Sequence, residues 1–191
     1  MRIIGGTRRG TLLADIGAGD PAAHLRPTSD RVREAIFNLL INGTHGNPVP
    51  GARVLDLFAG TGALGLEALS RGAAHVTFVD DGKAAEALIR ANVAKLRVEG
   101  ETRLLRQNAT RLGPNTGAPA TLVFLDPPYG KALGEAALTA AAKGGWLAPG
   151  AMIVWEEATA PQPPEGFTQI DQRRYGDTIV TLLRAPDGTP S

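Results

Sequence analysis

The chain has no cysteine, which excludes disulfide staples and thiolate metal sites. Its three histidines, His24, His45 and His75, are scattered without ligand spacing, so no metal is expected. No apolar run approaches the length of a membrane span, and Met1-Arg2-Ile3-Ile4-Gly5-Gly6 carries no apolar leader segment; the expectation is a cytoplasmic monomer without membrane contact. Repeats and heptads are missing, and so is any excess of one charge, the formal net charge being +1. What remains is 191 residues, 43% hydrophobic, enough for one medium domain with a small appendage.

Lysine is also absent from the first 33 residues, whereas Arg2, Arg8, Arg9, Arg26, Arg31 and Arg33 face only Asp15, Asp20 and Asp30 there. An arginine-only patch suits phosphate, because the planar guanidinium donates two parallel hydrogen bonds. A solvated face would have the same composition. Residues 1–14 read as a hairpin or two-strand arm outside the core, and residues 15–27, with Gly17, Gly19, Pro21 and Pro27, as a loop. Thr28-Ser29-Asp30 offers a helix start, followed by an apolar face of Val32, Ala35, Ile36, Leu39 and Leu40; Arg31, Arg33 and Glu34 fall on the other face.

From residue 52 strands alternate with helices. Strands are predicted at 52–58, 75–80, 102–107, 120–126 and 151–155, with helices at 63–71, 83–96 and 131–143 between them. This pattern means a mostly parallel α/β sheet with helices on both faces. After Pro161-Gln162-Pro163-Pro164 the alternation stops, and 167–174 and 178–184 read as an antiparallel hairpin at the sheet edge. The expected division is a basic arm and helix over 1–50, a core over 51–185 and a tail over 186–191.

Two stretches carry chemistry. Asp56-Leu57-Phe58-Ala59-Gly60-Thr61-Gly62-Ala63-Leu64-Gly65 places G-x-G-x-x-G between a strand and a helix, the context of a nucleotide-binding loop. Asp56 just ahead of the glycines opposes a pyrophosphate but suits the cationic groups of S-adenosylmethionine. Asp80, closing the second strand, can accept hydrogen bonds from ribose hydroxyls of either cofactor class. Asn108 and Ala109 follow the third strand, where a side chain reaches an adenine edge, although an asparagine in a turn is equally ordinary. The second stretch is Val123-Phe124-Leu125-Asp126-Pro127-Pro128-Tyr129-Gly130. A buried strand stops at two prolines and presents a carboxylate, carbonyls and a flat ring, the parts needed to hold a planar base by its amino group. A proline-terminated strand with a half-buried tyrosine fits these residues alone equally well.

The sequence from Arg2 to the Tyr175-Gly176-Asp177-Thr178 hairpin resembles the RsmD family of bacterial methyltransferases. Arg2-Ile3-Ile4-Gly5-Gly6, Arg26 to Glu34, Asp56 to Gly72 and Asp126-Pro127-Pro128-Tyr129 carry the resemblance. It implies a Rossmann-like class I methyltransferase fold and methyl transfer from S-adenosylmethionine to N2 of a guanine in 16S rRNA of the small ribosomal subunit. On this reading Asp126, Pro127, Pro128 and Tyr129 are catalytic. Asp56, Phe58, Ala59, Gly60, Thr61, Gly62, Asp80, Asn108, Ala109 and Thr28 hold the cofactor, and Arg8, Arg9, Arg26, Arg31 and Arg33 hold RNA phosphates. One departure is Gly82, where the family usually has a polar or acidic residue two positions after the second-strand acid. The competing readings are a methyltransferase using the same site on DNA, another RNA or a protein, a nicotinamide oxidoreductase, which Asp56 disfavours, and a non-catalytic RNA-binding assembly factor.

Overall fold

The computed structural model describes residues 1–15 and 28–188. Seven strands form one sheet: β1 (Arg53–Leu57), β2 (His75–Val79), β3 (Thr102–Leu105), β4 (Ala120–Leu125), β5 (Leu147–Glu157), β6 (Thr168–Tyr175) and β7 (Thr178–Arg184). Their spatial order is β3-β2-β1-β4-β5-β7-β6. The first five are mutually parallel, and β7 inserts antiparallel between β5 and β6. The chain reverses its direction of travel across the sheet between β1 and β4, which opens a crevice at the carboxyl ends of these strands.

The sheet is covered on both faces, so its central strands β1 and β4 are buried except at Arg53 and Thr121. Along β4 the two-residue period sends Leu122 and Phe124 to one core and Val123 and Leu125 to the other. Helices α1 (Asp30–Asn42), α2 (Ala63–Ser70) and α3 (Lys83–Leu96) cover the first face with Ile36, Phe37, Leu66 and Ile89. Helix α4 (Leu133–Lys143) covers the second with Ala137, Leu138 and Ala141. Ser29 caps α1 by accepting the Val32 N–H at 3.2 Å.

Three expectations are corrected. The arm is part of the core: its two sides are joined by one antiparallel bridge, Arg2 to Leu12, but Ile3 and Leu13 are buried in the first hydrophobic cluster. Arg33 lies on the buried face of α1 beside Ile36, Phe37 and Leu40, fully enclosed. A helical wheel built on hydrophobicity puts an arginine outside; Asp30 at 2.8 Å and buried Glu67 on α2 at 3.6 Å supply its counter-charges. Strand β5 runs from Leu147 to Glu157, well beyond 151–155 at both ends. A register shift between the Ala120–Leu147 and Leu122–Met152 pairs absorbs Pro149 and Gly150, so neither ends the strand. The loop expected over 15–27 lies outside the described residues except for Asp15, and Arg26 lies outside them too.

The third glycine of the loop sets how closely α2 rests on the sheet. A Cβ at Gly65 would stand 2.6 Å from the Phe78 ring, 2.7 Å from Val76 and 3.0 Å from the Asp56 carboxylate. Gly65→Ala is therefore expected to destabilise the fold by about 1–3 kcal/mol, measured by chemical denaturation; an unchanged midpoint would show that α2 has room to withdraw.

Candidate active site

Four acids converge at the carboxyl ends of the strands: Asp56 within β1, Asp80 after β2, Asp126 after β4 and Glu156 within β5. Asp56 is 1% exposed and accepts the Gly65 N–H at 3.0 Å. Burial pushes its carboxyl well above the ordinary range; the Gly65 N–H opposes this, and the charges of Asp126 and Asp80 add to it. Asp56 is thus tied to the first turn of α2. Asp80 spreads its two oxygens over the backbone, accepting from Gly60 N and Gly82 N at 2.9 Å each. Burial raises its pKa, and those two hydrogen bonds work against the rise. Gly82, the departure from the family pattern, is thereby the residue whose N–H steadies Asp80.

The connection from β1 to α2 turns sharply. Phe58 has φ 58°, a left-handed conformation costing roughly 1–2 kcal/mol for a residue with a Cβ, followed by Gly60 at 59° and Gly62 at 78°. Ala59 N donates to Val79 O at 3.1 Å and Gly62 N to Ala59 O at 2.8 Å, so the loop is closed by its own backbone. Thr61 is buried, with its hydroxyl against Met1 Sδ at 3.5 Å and its carbonyl accepting from Asn92 Nδ2 at 3.0 Å. Its side chain is committed to the junction with the arm and is not presented to the crevice. Asn108 accepts from Thr110 N at 2.9 Å and caps a short 3-10 turn over Ala109–Arg111, in which Ala109 is buried. The Asn108 side-chain oxygen is engaged in that cap.

The Asp126–Gly130 turn is braced from three sides. Thr28 Oγ1 lies 3.0 Å from Asp126 Oδ2 and 3.4 Å from Glu156 Oε1. The Tyr129 hydroxyl lies 3.3 Å from Thr178 Oγ1 at the start of β7. Glu157 Oε1 accepts Gly130 N at 3.3 Å and Ala158 N at 2.9 Å. Thr28, expected at the cofactor, is instead hydrogen-bonded to the acid of this turn. Glu156 and Glu157 were not singled out from sequence; the signal was two acids continuing the run Met152-Ile153-Val154-Trp155, where a strand closing on the surface would turn to Gly or Pro.

The arginines divide. Arg2, Arg9 and Arg31 line a groove of about 360 Å³ between the arm and α1, together with Ile3, Ile4, Gly10, Asp30 and Glu34. Arg8 lies elsewhere, its Nε donating to Leu96 O at 3.3 Å and its Nη2 3.7 Å from Glu101. Arg33, being buried, has no access to a bound polyanion. Among the described residues no cluster of His, Cys, Asp and Glu has the makings of a metal site, and no helix is long and apolar enough to cross a membrane. An acid-rich rim beside a glycine turn suits a ligand carrying positive charge close to a ribose, and disfavours a pyrophosphate.

The family profile described as conserved hypothetical protein 95 matches residues 1–184. The ribosomal RNA small subunit methyltransferase D of Escherichia coli (strain K12) is 40% identical over 187 residues, covering 96% of this chain and 89% of its own. The protein of the same name from Haemophilus influenzae is 34% identical over 190 residues, covering 96% and 93%. The solved structure of the Escherichia coli protein yhhF superposes with a TM-score of 0.80 at 35% identity, covering 98% of this chain and 99% of that one.

Proposed function

We propose the following function for this chain, which belongs to the RsmD family matched by the conserved hypothetical protein 95 profile: it methylates ribosomal RNA of the small subunit, at the exocyclic N2 amine of a guanine, with S-adenosylmethionine as donor. The observation that carries the reading is the placement of Asp126, Pro127 and Tyr129 on a braced turn beside the glycine loop at one sheet edge. The residues fit the cofactor: Asp80, at the end of β2 beside the glycine turn, would take the ribose hydroxyls, and an acid-lined crevice disfavours a pyrophosphate. When bound, S-adenosylmethionine supplies a methyl group on a sulfonium, the C–S electron pair leaving with sulfur as the amine nitrogen takes the methyl.

The protein's own residues do the positioning. Asp126 accepts an N–H of the amine and aims the nitrogen lone pair at the methyl, helped by the Pro127 carbonyl. With an ordinary carboxylate pKa of about 3.9, aspartate does not deprotonate a neutral aryl amine in advance; the methylated nitrogen, once cationic, sheds its proton readily. Aligning the two partners accounts for roughly 7–11 kcal/mol when the geometry is good. Tyr129 stacks on the base, a contact worth roughly 1–3 kcal/mol, and Pro128 stiffens the turn between them. The test is methylation of 16S rRNA, free and in small subunits, with labelled donor, followed by digestion and nucleoside mapping. Label in N2-methylguanosine is the expected result; label on another base, or none on either substrate, would overturn it.

The groove lined by Arg2, Arg9 and Arg31 supports a phosphate-binding role for the arm. Replacing Arg9 and Arg31 together by glutamine is expected to weaken RNA binding and to reduce the slope of log affinity against log salt by about 1.4. Fluorescence anisotropy across a salt series measures both, and an unchanged slope would remove these two residues from the RNA interface.

A further inference from the structure

The connection from β3 to β4 crosses β2 and β1 on the second face of the sheet, where its Ala109 and Leu112 are buried. It does so without an α-helix, holding only the Ala109–Arg111 turn and a loop. A cavity of about 320 Å³ is left there. Its floor is the amino-terminal half of the sheet, where the two-residue period brings Arg53 and Leu55 of β1, His75 and Thr77 of β2 and Arg103 of β3 to one side. Arg53 is in register with His75, and Thr77 with Arg103, so three basic side chains stand on adjoining strands. The walls are fixed: Trp146 Nε1 donates to Gly113 O at 2.8 Å, and Asn115 clasps the Gly117 backbone, Nδ2 donating to Gly117 O and Oδ1 accepting Gly117 N at 3.0 Å each. Arg53 Nε donates to Pro119 O at 2.7 Å. Beyond that bond, neither arginine side chain has a hydrogen-bond or ion-pair partner among the described residues, and no acid lines the cavity. The groove at the arm differs, with Asp30 and Glu34 beside its arginines. Guanidinium groups without counter-charges, in a recess beside an imidazole, make a site for an anion with several oxygens.

We propose that this cavity binds a phosphate group, free or at the end of a small molecule, with Arg53 and Arg103 as its charged donors and His75 and Thr77 beside them. Leu55 and Trp146 add apolar wall, and the volume falls within the usual range of small-molecule sites, so there is room for the molecule that carries the phosphate. Arg53 stands three residues ahead of Asp56 on β1, about 10 Å back along the strand from the acid-lined crevice. The arginines of the arm groove lie with α1 on the first face of the sheet. RNA seated on them meets the opposite side of the molecule from this recess, so a small anion suits it better than an RNA backbone. His75 agrees: burial first, then the Arg103 charge, lower its pKa, and a bound anion counteracts the second of these effects. The site does not depend on the methyl-transfer reading.

Calorimetry with inorganic phosphate and with ribose 5-phosphate, at constant ionic strength in chloride, tests this. Saturable binding is expected in wild type, weakened about tenfold in Arg103→Gln and likewise in Arg53→Gln. The arm variant carrying Arg9→Gln and Arg31→Gln should bind as wild type does. Arg103 is exposed and its side chain makes no bond within the fold, so Arg103→Gln reports on the site even if Arg53→Gln fails to fold. Tighter binding of ribose 5-phosphate than of phosphate assigns the site to a phosphomonoester, and equal binding assigns it to the free ion; either upholds the proposal. Ribose binding as tightly as ribose 5-phosphate, or no saturation by about 10 mM of either anion, would overturn it. The second measurement is a pH titration by NMR. The imidazole resonance that disappears in His75→Gln should titrate at higher pH when sulfate is present, an ion that stays dianionic over that range; no displacement overturns the proposal. If Arg103→Gln weakens RNA binding and leaves phosphate binding unchanged, Arg103 belongs to an RNA surface and the proposal falls.

Discussion

Asp126→Asn is expected to lower the rate of methyl transfer by roughly 100- to 1000-fold, the usual consequence of removing a charged group aimed at a developing charge. Asparagine keeps the size of the side chain and one carbonyl oxygen, so the turn held by Thr28, Thr178 and Glu157 stays in place. The substitution removes the negative charge beside the nitrogen as that nitrogen becomes cationic. It also puts an NH2 group where an acceptor is needed, so half of the amide orientations turn donor against donor. The loss should fall on the single-turnover rate. Calorimetry with S-adenosylhomocysteine should show donor-site affinity almost unchanged, because Asp80 and the loop backbone are untouched. Full turnover in Asp126→Asn would mean that the amine is oriented by something else.

Much of this was legible in the sequence, and the reasons are physical. Strand–helix alternation and G-x-G-x-x-G after β1 are local signals, since the turn and the close packing of α2 on Val76 and Phe78 demand glycine at fixed offsets. The β6–β7 hairpin was readable because Gly176, at φ 60°, sits between two runs of strand formers. Pairings between distant residues were not readable. Arg33 was assigned to solvent because the partner its own helix offers, Asp30, is itself half-exposed; fully buried Glu67, 34 positions later, reverses the assignment. The same holds for Thr28, whose partners Asp126 and Glu156 are 98 and 128 residues away. Thr61 looked like loop chemistry because its neighbours are glycines, while Asn92 of α3, which holds both the Thr61 carbonyl and the backbone of Ala14, gives no sign in its own helix.

That hidden pairing leads to the largest expected effect on stability. Helix α2 is buried along its whole length, so Glu67 has no route to water. It accepts Ile4 N at 2.9 Å, Gly5 N at 2.8 Å and Arg71 Nε at 2.8 Å, and it stands 3.6 Å from Arg33 Nε. Among the described residues Arg33 Nε and Nη1 find no hydrogen-bond acceptor, although Nη2 reaches Arg2 O and Asp30. Its charge is shared between Asp30, half-exposed at 2.8 Å, and Glu67, fully buried at 3.6 Å. Glu67→Ala should cost about 3–5 kcal/mol, because it leaves a buried cation with only the half-exposed Asp30 and strands two arm N–H groups. Against a typical total of about 5–15 kcal/mol this is severe. Denaturant titration measures it, and the double variant Glu67→Leu with Arg33→Met separates causes. If the stranded charge is the main term, the double variant is more stable than Glu67→Ala; if the arm hydrogen bonds dominate, the two lose equally. A loss below about 1 kcal/mol in Glu67→Ala would mean that water reaches the pair. Since Arg2 and Arg9 ride on the same arm, loosening it should also weaken RNA binding, with donor affinity falling only to the extent that the Met1–Thr61 contact is lost with it.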